Sequence, residues 1–263
     1  SAPKLYNEQY KKNFIEIEDF GNDTIFDLLK KKGSKKKVLY KNSIKLLNKI
    51  QKIKQNKIRN FNGKYYKIPT YNNNKLLIEA KLFSDWYVKK YISKKKISNL
   101  NLQINKQIRF LLSKLKLKND TFVHRDFHVS NLMKYKKKLG IIDTQDALIG
   151  NRVYDLASLI DDVRFKSNKK LKDSVYKYYL TINKKNLNEE FFLNDFEILS
   201  VLRNMKIIGI FTRLAIRDKK KKYLKLIPYA WKLIELRIKN NEIFVNLKRV
   251  LDLNFPKKIR NLK

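Results

Sequence analysis

Apolar and polar residues alternate near the start of the chain, and this pattern predicts a strand. The segment FIEIE within residues 13–20 is typical of a strand with one buried face. Gly21 ends it, and residues 22–24 are suitable N-caps for a short helix whose apolar positions begin at Ile25. This part of the chain therefore predicts a strand that is followed directly by a helix.

Apolar residues at helical spacing recur through most of the remaining chain. They predict a long helix from about Tyr40 to Arg59, and the Asn, Gly and Pro content of residues 60–74 predicts a loop after it. The sequence LGIID at 139–143 predicts a strand. Because the predicted strands are few and come early, we expect a mainly helical lobe. Further helices are predicted at 75–92, 101–116, 153–164, 169–182, 193–216, 228–239 and 241–252.

The composition is that of a folded chain without disulfides. With 263 residues, of which 43% are hydrophobic, the chain has enough apolar side chains for a core. The absence of cysteine excludes disulfides and thiolate metal sites. No run approaches the roughly 18 apolar residues of a membrane span, and the first residues lack the apolar segment of a signal peptide. We therefore expect a cytoplasmic protein with no membrane partner.

The formal net charge of +38 is high enough to suggest a nucleic acid or an anionic membrane as partner. However, 51 of the 62 basic residues are lysine, and abundant Asn, Ile, Tyr and Phe accompany them, a bias typical of an AT-rich coding sequence. No nucleic-acid-binding module is recognisable. The lysine runs are scattered, at 30–32, 35–37, 136–138 and 219–222. We therefore favour a solvated lysine-rich surface over a nucleic-acid patch.

One predicted loop concentrates chemically active side chains. In FVHRDFHVSNLM, residues 122–133, the run His124, Arg125 and Asp126 is followed after four residues by Asn131. This spacing matches the catalytic-loop signature of protein kinases. Phosphoryl transfer requires a carboxylate that orients and deprotonates the attacking hydroxyl, together with oxygen ligands for Mg²⁺. The motif therefore predicts a phosphate-transfer loop rather than a polar turn.

The residue types indicate a role for each polar side chain of this loop. Asp126 fits the catalytic base, whereas Asn131 and Asp143, the acid that ends the next predicted strand, fit the oxygen ligands that Mg²⁺ prefers. Because Asp126 already occupies the base position, we interpret His124 as a structural brace of the loop. His128 could approach the substrate or the phosphates, or it could make a local hydrogen bond.

Two stretches together resemble a known superfamily. GIIDTQDALIGNRVYDLASLIDD at 140–162, taken with the loop at 122–133, is similar to the aminoglycoside phosphotransferase and choline kinase-like superfamily rather than to the protein kinases, which would show D-F-G and A-P-E. Within that superfamily, the segments at 77–88, 141–147 and 202–228 resemble bacterial kinases that phosphorylate N-acetylmuramate and N-acetylglucosamine. The resemblance runs from about residue 2 to residue 235.

The resemblance implies an α+β protein kinase-like fold, made mainly of the helical C-terminal lobe, and an enzyme that uses ATP and Mg²⁺. It repeats the roles of Asp126, Asn131 and Asp143. Two of the residues named below also have a structural interpretation: Asp146 could make a buried hydrogen bond instead of contacting substrate, and Trp86 could pack in the core. The further implied roles are support of the loop by Asp155, contact of the hinge with adenine at Glu18 and Asp19, mostly through the backbone, and contact with the sugar at Asp146 and Glu79, with Trp86 nearby. Together with the residues of the loop itself, the candidate supports of the loop are His124, Arg125 and Asp155, and the candidate substrate contacts are Asp146, Glu79 and His128.

The chain departs from the superfamily pattern at two places. Thr144 stands where the family usually has Phe, a change that costs apolar packing beside the metal ligand. The kinase small lobe should also supply a glycine-rich loop and a strand lysine, yet all six glycines are isolated and no G-x-G occurs. We therefore expect the first half of the small lobe to be missing. Residues 1–21 are then a remnant of this lobe with its hinge, and residues 22–263 are the helical catalytic lobe.

The leading hypothesis is an ATP- and Mg²⁺-dependent kinase of a small-molecule hydroxyl, with cell-wall amino sugars as the favoured acceptors. An aminoglycoside, choline or homoserine is an alternative acceptor, because the acceptor depends on the helical lobe, where fold-level analogy is weakest. The missing glycine-rich segment favours a pseudokinase that binds a ligand without turnover, whereas the intact catalytic residues oppose it. A nucleic-acid-binding protein is the third alternative.

Overall fold

The structure of the chain is a computed structural model that describes residues 1–59 and 63–261. The chain divides into two compact units. The first contains residues 1–70 and 120–187, and the second contains residues 71–119 and 188–263. In the part of the chain that is described, no helix is long and apolar enough to cross a membrane.

The first unit begins with a hairpin of β1 (Leu5–Gln9) and β2 (Phe14–Ile17), which are antiparallel. The predicted strand is confirmed, but its predicted buried face is wrong, because Phe14, Ile15 and Ile17 are each about half exposed. Alternation leads to a buried face only when another layer covers that face. Here every position of β2 is exposed.

Two helices follow the hairpin. Helix α1 (Ile25–Lys30) starts at the predicted N-cap, because the Thr24 side chain accepts a hydrogen bond from the Asp27 N–H at 3.0 Å. Helix α2 (Lys36–Gln51) begins and ends before the predicted bounds. Lysine is a good helix former, so α2 starts in a polar segment that apolar periodicity does not detect.

The end of the predicted long helix is a second hairpin instead. Strand β3 (Lys57–Arg59) pairs antiparallel with β4 (Tyr65–Lys67), so the helix predicted up to Arg59 and the loop predicted over 60–74 are both wrong in part. Residues 60–62 of that loop lie outside the described residues. Strand pairing is a tertiary contact that can override a short apolar period.

The remaining strands of the first unit surround the predicted phosphate-transfer loop. Strand β5 (Asn119–Val123) lies beside β8 (Leu148–Asn151), and β6 (Leu132–Tyr135) pairs antiparallel with β7 (Lys138–Ile141). Strand β7 is the strand predicted at 139–143, and it ends two residues before the predicted end. The register places Leu132 opposite Ile141. Two predicted helices then follow, α6 (Val153–Ile160), which is buried along its whole length, and α7 (Lys169–Asn183).

The second unit is helical and has an aromatic core. Phe83, Tyr87, Trp231 and Phe255 pack with ring centroids 5.3–5.9 Å apart. Gly209 lies against the backbone at Leu82, where an added Cβ would be 2.2 Å from the carbonyl carbon. The helices predicted in this unit are confirmed with shifted ends. The one helix predicted at 75–92 is divided into α3 (Asn73–Ala80), a π-helical turn (Phe83–Val88) and α4 (Lys89–Tyr91). The others are α5 (Lys94–Ser113), α8 (Glu189–Ile216), α9 (Ile227–Ile238) and α10 (Val245–Asn254). A short helix that was not predicted, α11 (Lys257–Arg260), follows them.

Candidate active site

A buried carboxylate on α6 holds the start of the loop that joins β5 to β6. Asp155 is fully buried and accepts hydrogen bonds from the backbone N–H groups of His124 at 2.7 Å and Arg125 at 3.0 Å. Arg125 has a φ of 74°, in the left-handed region that non-glycine residues rarely adopt. The two charge-assisted hydrogen bonds offset part of the cost of this conformation. The backbone is therefore anchored immediately before Asp126.

The backbone carbonyl of Asp126 receives two hydrogen bonds from later in the loop. The His128 N–H donates at 3.0 Å, and the side-chain amide nitrogen of Asn131 donates at 3.1 Å. The second bond orients the Asn131 amide, because its nitrogen end is committed to Asp126. The amide oxygen is then at the opposite end, where it can act as a cation ligand.

Asp143 follows directly from the hydrogen-bonded ladder that contains Asn131. The N–H of Ile142 donates to the carbonyl of Asn131 at 3.1 Å, which extends the pairing of β6 with β7 by one step. Asp143 comes next, with a φ of 67°, and its carboxylate accepts a hydrogen bond from the Gln145 side chain at 2.6 Å. The fold thus brings the predicted base and both predicted metal ligands into one hydrogen-bonded segment.

The imidazole of His124 links the loop at Asp126 to the end of the β6–β7 hairpin at Ile142. Its Nδ1 accepts a hydrogen bond from the Asp126 N–H at 3.3 Å, and its Nε2 lies 3.1 Å from the carbonyl of Ile142. A ring that carries its proton on Nε2 satisfies both contacts. Burial lowers the pKa of His124 below its ordinary value of 6.5, so the ring is neutral at pH 7.

Arg125 connects the loop to the turn after Asp143. Its Nη1 donates to the backbone carbonyl of Asp146 at 3.1 Å, and Asp146 itself is exposed. Thr144, at the position where the superfamily usually has Phe, is also exposed. The other histidine of the loop, His128, is 5% exposed and so is largely shielded from solvent. Of the predicted sugar contacts, Asp146 and His128 therefore lie in the same unit as Asp126.

The predicted hinge residues Glu18 and Asp19 follow β2. The Glu18 carboxylate accepts hydrogen bonds from the Tyr135 hydroxyl at 2.6 Å and from the Lys4 N–H at 3.2 Å. The hydrogen bond from Tyr135, more than any other interaction, lowers the pKa of Glu18 below its ordinary value. The carboxylate of Asp19 accepts from the Gly21 N–H at 2.7 Å. Both acidic side chains are thus engaged with the protein itself.

Phe20 attaches this hinge to the β6–β7 hairpin. Its ring stacks on Tyr135 with centroids 4.4 Å apart. A Cβ atom on Gly140 would lie 2.2 Å from the Phe20 ring, so only glycine allows this close approach. The hairpin that begins after Asn131 is therefore packed against the hinge at its other end.

Glu79 lies in the second unit, whereas the loop lies in the first. Its carboxylate forms an ion pair with the Lys206 ammonium at 2.8 Å and accepts a hydrogen bond from the Tyr71 hydroxyl. The Glu79 and Lys206 side chains are 15% and 13% exposed, respectively. Trp86 is half-buried within the π-helical turn. The structure thus places Glu79 in a partly buried charged cluster of the helical unit.

Asp162 also contacts the loop, although no sequence motif predicted a role for it. Its carboxylate accepts a hydrogen bond from the backbone N–H of Val129, in the middle of the loop, at 3.3 Å. The available signal was the acidic pair Asp161 and Asp162 at the end of an apolar helix, because acidic residues are rarely buried unless they are paired.

The donor set at the loop fits Mg²⁺ better than a metal that is held by protein ligands alone. Within residues 1–59 and 63–261, no group of three or more His, Asp or Glu side chains could hold a metal ion. Mg²⁺ keeps several waters and is commonly bound through one or two carboxylates together with substrate phosphates. The Asn131 amide oxygen and the Asp143 carboxylate are two oxygen donors of the types that such a site uses.

Comparison with known families agrees with this chemistry. Residues 37–187 match the family described as "Phosphotransferase enzyme family". The chain belongs to this family. The predicted class, a phosphotransferase with a hydroxyl acceptor, is thereby confirmed.

This phosphotransferase is also similar to individual kinases in sequence and to solved structures in fold. The N-acetylmuramate/N-acetylglucosamine kinase of Neisseria meningitidis serogroup B is 31% identical over 235 residues, which cover 87% of this chain and 68% of the relative. The structure of Plasmodium vivax ethanolamine kinase aligns with a TM-score of 0.57 and 14% identity, covering 90% of this chain and 68% of that one. ADP-bound aminoglycoside phosphotransferase APH(2'')-Ib aligns with a TM-score of 0.51 and 17% identity, covering 89% and 74%. The two structures confirm the predicted α+β, protein kinase-like fold.

Proposed function

We propose that this phosphotransferase transfers the terminal phosphoryl group of ATP, with Mg²⁺, to a hydroxyl of an amino sugar such as N-acetylmuramate or N-acetylglucosamine. The observation that carries the proposal is the hydrogen-bonded arrangement of Asp126, Asn131 and the segment that leads into Asp143. The name of the Neisseria relative supports the amino sugar as acceptor.

Asp126 is the proposed catalytic base. Its carboxylate orients the acceptor hydroxyl and takes the proton of that hydroxyl as the oxygen attacks the phosphorus atom. Its backbone is held from both sides, by the anchor at Arg125 and by the donors from His128 and Asn131. Such restraint supports a base that must be positioned before the reaction begins.

Asn131 and Asp143 are the proposed Mg²⁺ ligands. The amide of Asn131 is oriented by Asp126, and the carboxylate of Asp143 is oriented by Gln145. When it is bound, Mg²⁺ neutralises charge on the nucleotide phosphates and helps to align the transferred group. The two side chains supply one neutral and one anionic oxygen ligand, a set that leaves room for phosphate oxygens and water.

ATP is proposed as the donor on the basis of the kinase motif and of the ADP-bound relative in the family fold. The hinge at Glu18 and Asp19 would meet the adenine through backbone groups. Because the Glu18 N–H already donates to the Lys4 carbonyl at 2.8 Å, the contact falls to the Glu18 carbonyl and the Asp19 backbone. In this proposal residues 1–21 belong to the small lobe and the hinge, and residues 22–263 are the catalytic lobe.

The acceptor side is proposed to use Asp146 and His128, which lie in the same unit as Asp126. Asp146 is exposed beside the turn that Arg125 supports, which suits a hydrogen-bonding contact with a sugar hydroxyl. For Glu79, in the second unit, contact with a sugar stays a prediction, and its carboxylate is paired with Lys206 there. Paired charges of this kind can both donate to and accept from the several hydroxyl and amide groups of an amino sugar.

The decisive experiment is MgATP-dependent phosphorylation of a panel of acceptors by this chain. The panel contains N-acetylmuramate, N-acetylglucosamine, choline and an aminoglycoside, and Asp126→Asn is the control. We expect transfer to at least one amino sugar, with loss of transfer in the variant. Transfer only to choline or to the aminoglycoside would refute the amino sugar but retain the kinase. Transfer to none of them would refute the proposed function of the chain.

A further inference from the structure

The phosphate-transfer loop is anchored at a second point, Val129. The Val129 N–H donates to Asp162 at 3.3 Å, and the Val129 carbonyl accepts from the Phe26 N–H at 3.0 Å. The Val129 side chain is fully buried. This residue lies between Asp126 and Asn131 along the chain, so its position affects both of them.

Asp162 is a buried carboxylate, and both of its oxygens accept hydrogen bonds. Its side chain is 1% exposed. One oxygen, Oδ2, accepts from Val129, and the other, Oδ1, accepts from the backbone N–H of Arg164 at 3.0 Å and from its guanidinium at 3.2 Å. The ion pair with Arg164 compensates the charge that would otherwise be costly to bury.

The residue before Asp162 fixes the direction in which Asp162 points. Asp161, at the end of α6, forms a buried ion pair with Lys172 of α7 at 2.9 Å, and the same ammonium also donates to the Ile160 carbonyl. The chain between α6 and α7 is therefore held in place by Asp161. Asp162 is left on the side that contacts the loop.

We infer that Asp162 is a positioning residue for phosphoryl transfer. Asp155 lies in α6 and Asp162 lies two residues after its end, and they hold the loop at Arg125 and at Val129 respectively. Asp126 lies between these two anchors. The inference rests on the proposed roles of Asp126 and Asn131, and Asp162 acts through the loop rather than by contact with substrate.

The matched test compares Asp162→Asn with Asp173→Asn. Both carboxylate oxygens of Asp162 accept from N–H donors, so an Asn at this position must turn its own NH₂ group toward one of them. Asp173 undergoes the same chemical change on the exposed surface of α7, where it pairs with Lys169 across one turn at 2.9 Å. Asp162→Ala serves as a second variant, and the melting temperature shows whether each variant folds.

In folded Asp162→Asn we expect kcat to fall by about 10- to 100-fold, because small displacements of a catalytic group have effects of this size. The KM for the acceptor should change by less than about threefold, because Asp162 does not contact substrate. In an Asp126→Asn background the same substitution should cost little further, since both act on one step. Asp173→Asn should keep wild-type kcat. A variant with normal kcat, or with full additivity in the Asp126→Asn background, would overturn the inference.

A second readout does not depend on the acceptor. Hydrogen exchange of the segment 128–131 should be faster in Asp162→Ala than in wild type, and the gain in ADP affinity that Mg²⁺ provides should be smaller, whereas Asp173→Ala should change neither. If the wild-type chain phosphorylates none of the panel, the proposed function fails. The inference is then decided by these two measurements, and unchanged values for Asp162→Ala would overturn it.

Discussion

The side-chain amide of Asn131 donates a hydrogen bond to the backbone carbonyl of Asp126 at 3.1 Å. One hydrogen bond therefore joins the proposed base to a proposed metal ligand. It also requires an amide, because a carboxylate at position 131 has no hydrogen to donate at neutral pH.

Asn131→Asp should therefore impair transfer although it keeps the size of the side chain and adds a metal-binding charge. The carboxylate would face the Asp126 carbonyl without a hydrogen bond, and the two oxygens would repel each other. We expect kcat to fall about 10²-fold or more. Steady-state kinetics would measure the change, with the exposed Asn22→Asp as control. An active Asn131→Asp variant would show that the amide donor is dispensable.

Asp126→Asn should lower turnover by about 10²- to 10⁴-fold, the contribution of a positioned general acid or base. The hydrogen bonds with His124, His128 and Asn131 involve the Asp126 backbone and are kept in the variant, so it should fold normally. Initial rates and the melting temperature, measured together, separate the two effects. Turnover equal to wild type would remove Asp126 from the mechanism.

Asp143→Asn should raise the concentration of Mg²⁺ needed for half-maximal rate, because an amide is a weaker ligand than a carboxylate for this hard cation. Saturating Mg²⁺ should recover part of the activity. The matched variant Asp146→Asn should leave the Mg²⁺ titration unchanged and act instead on the KM for the acceptor. An Asp143→Asn variant with the wild-type Mg²⁺ dependence would contradict its assignment as ligand.

Asp155→Ala should lower the free energy of unfolding by about 2–6 kcal/mol. The substitution leaves the buried N–H groups of His124 and Arg125 without their acceptor, and each such loss costs about 1–3 kcal/mol. Urea denaturation measures the difference. Asp173→Ala, on the exposed face of α7, should change stability by less than about 0.5 kcal/mol. A loss no larger than that of this control would show that Asp155 does not brace the loop.

The stability of the protein should fall as the pH drops below 6.5, in part because of His124. Burial lowers the pKa of His124 in the folded state, so the unfolded chain binds this proton more readily. Its contribution is complete above the unfolded pKa and is lost as the pH falls from there toward the folded pKa. His124→Gln, which retains a donor for Ile142, should reduce the pH dependence of unfolding between pH 7 and pH 5. NMR titration of the ring with a pKa at or above 6.5 would contradict this expectation.

Several features of the fold were predictable because their causes are local. The Thr24 N-cap and helix α1 follow from neighbouring residues. The segment Lys57–Arg59 was predicted as helix but forms a strand, because its conformation depends on pairing with β4. The buried face predicted for β2 failed for a similar reason, since burial depends on what packs against a strand and not on its own alternation.

The sequence by itself determined the chemistry of the loop, because the spacing from Asp126 to Asn131 lies within one short segment whose residue types match phosphoryl transfer. It also indicated Asp143 through the strand that precedes it, and the resemblance implied Asp155. Only the tertiary structure decided how these groups are held. The contact of Asp162 with Val129 spans 33 positions along the chain, and such a contact arises from the packing of α6 beside the loop. No local pattern encodes that distance, because it depends on how separate elements share one core.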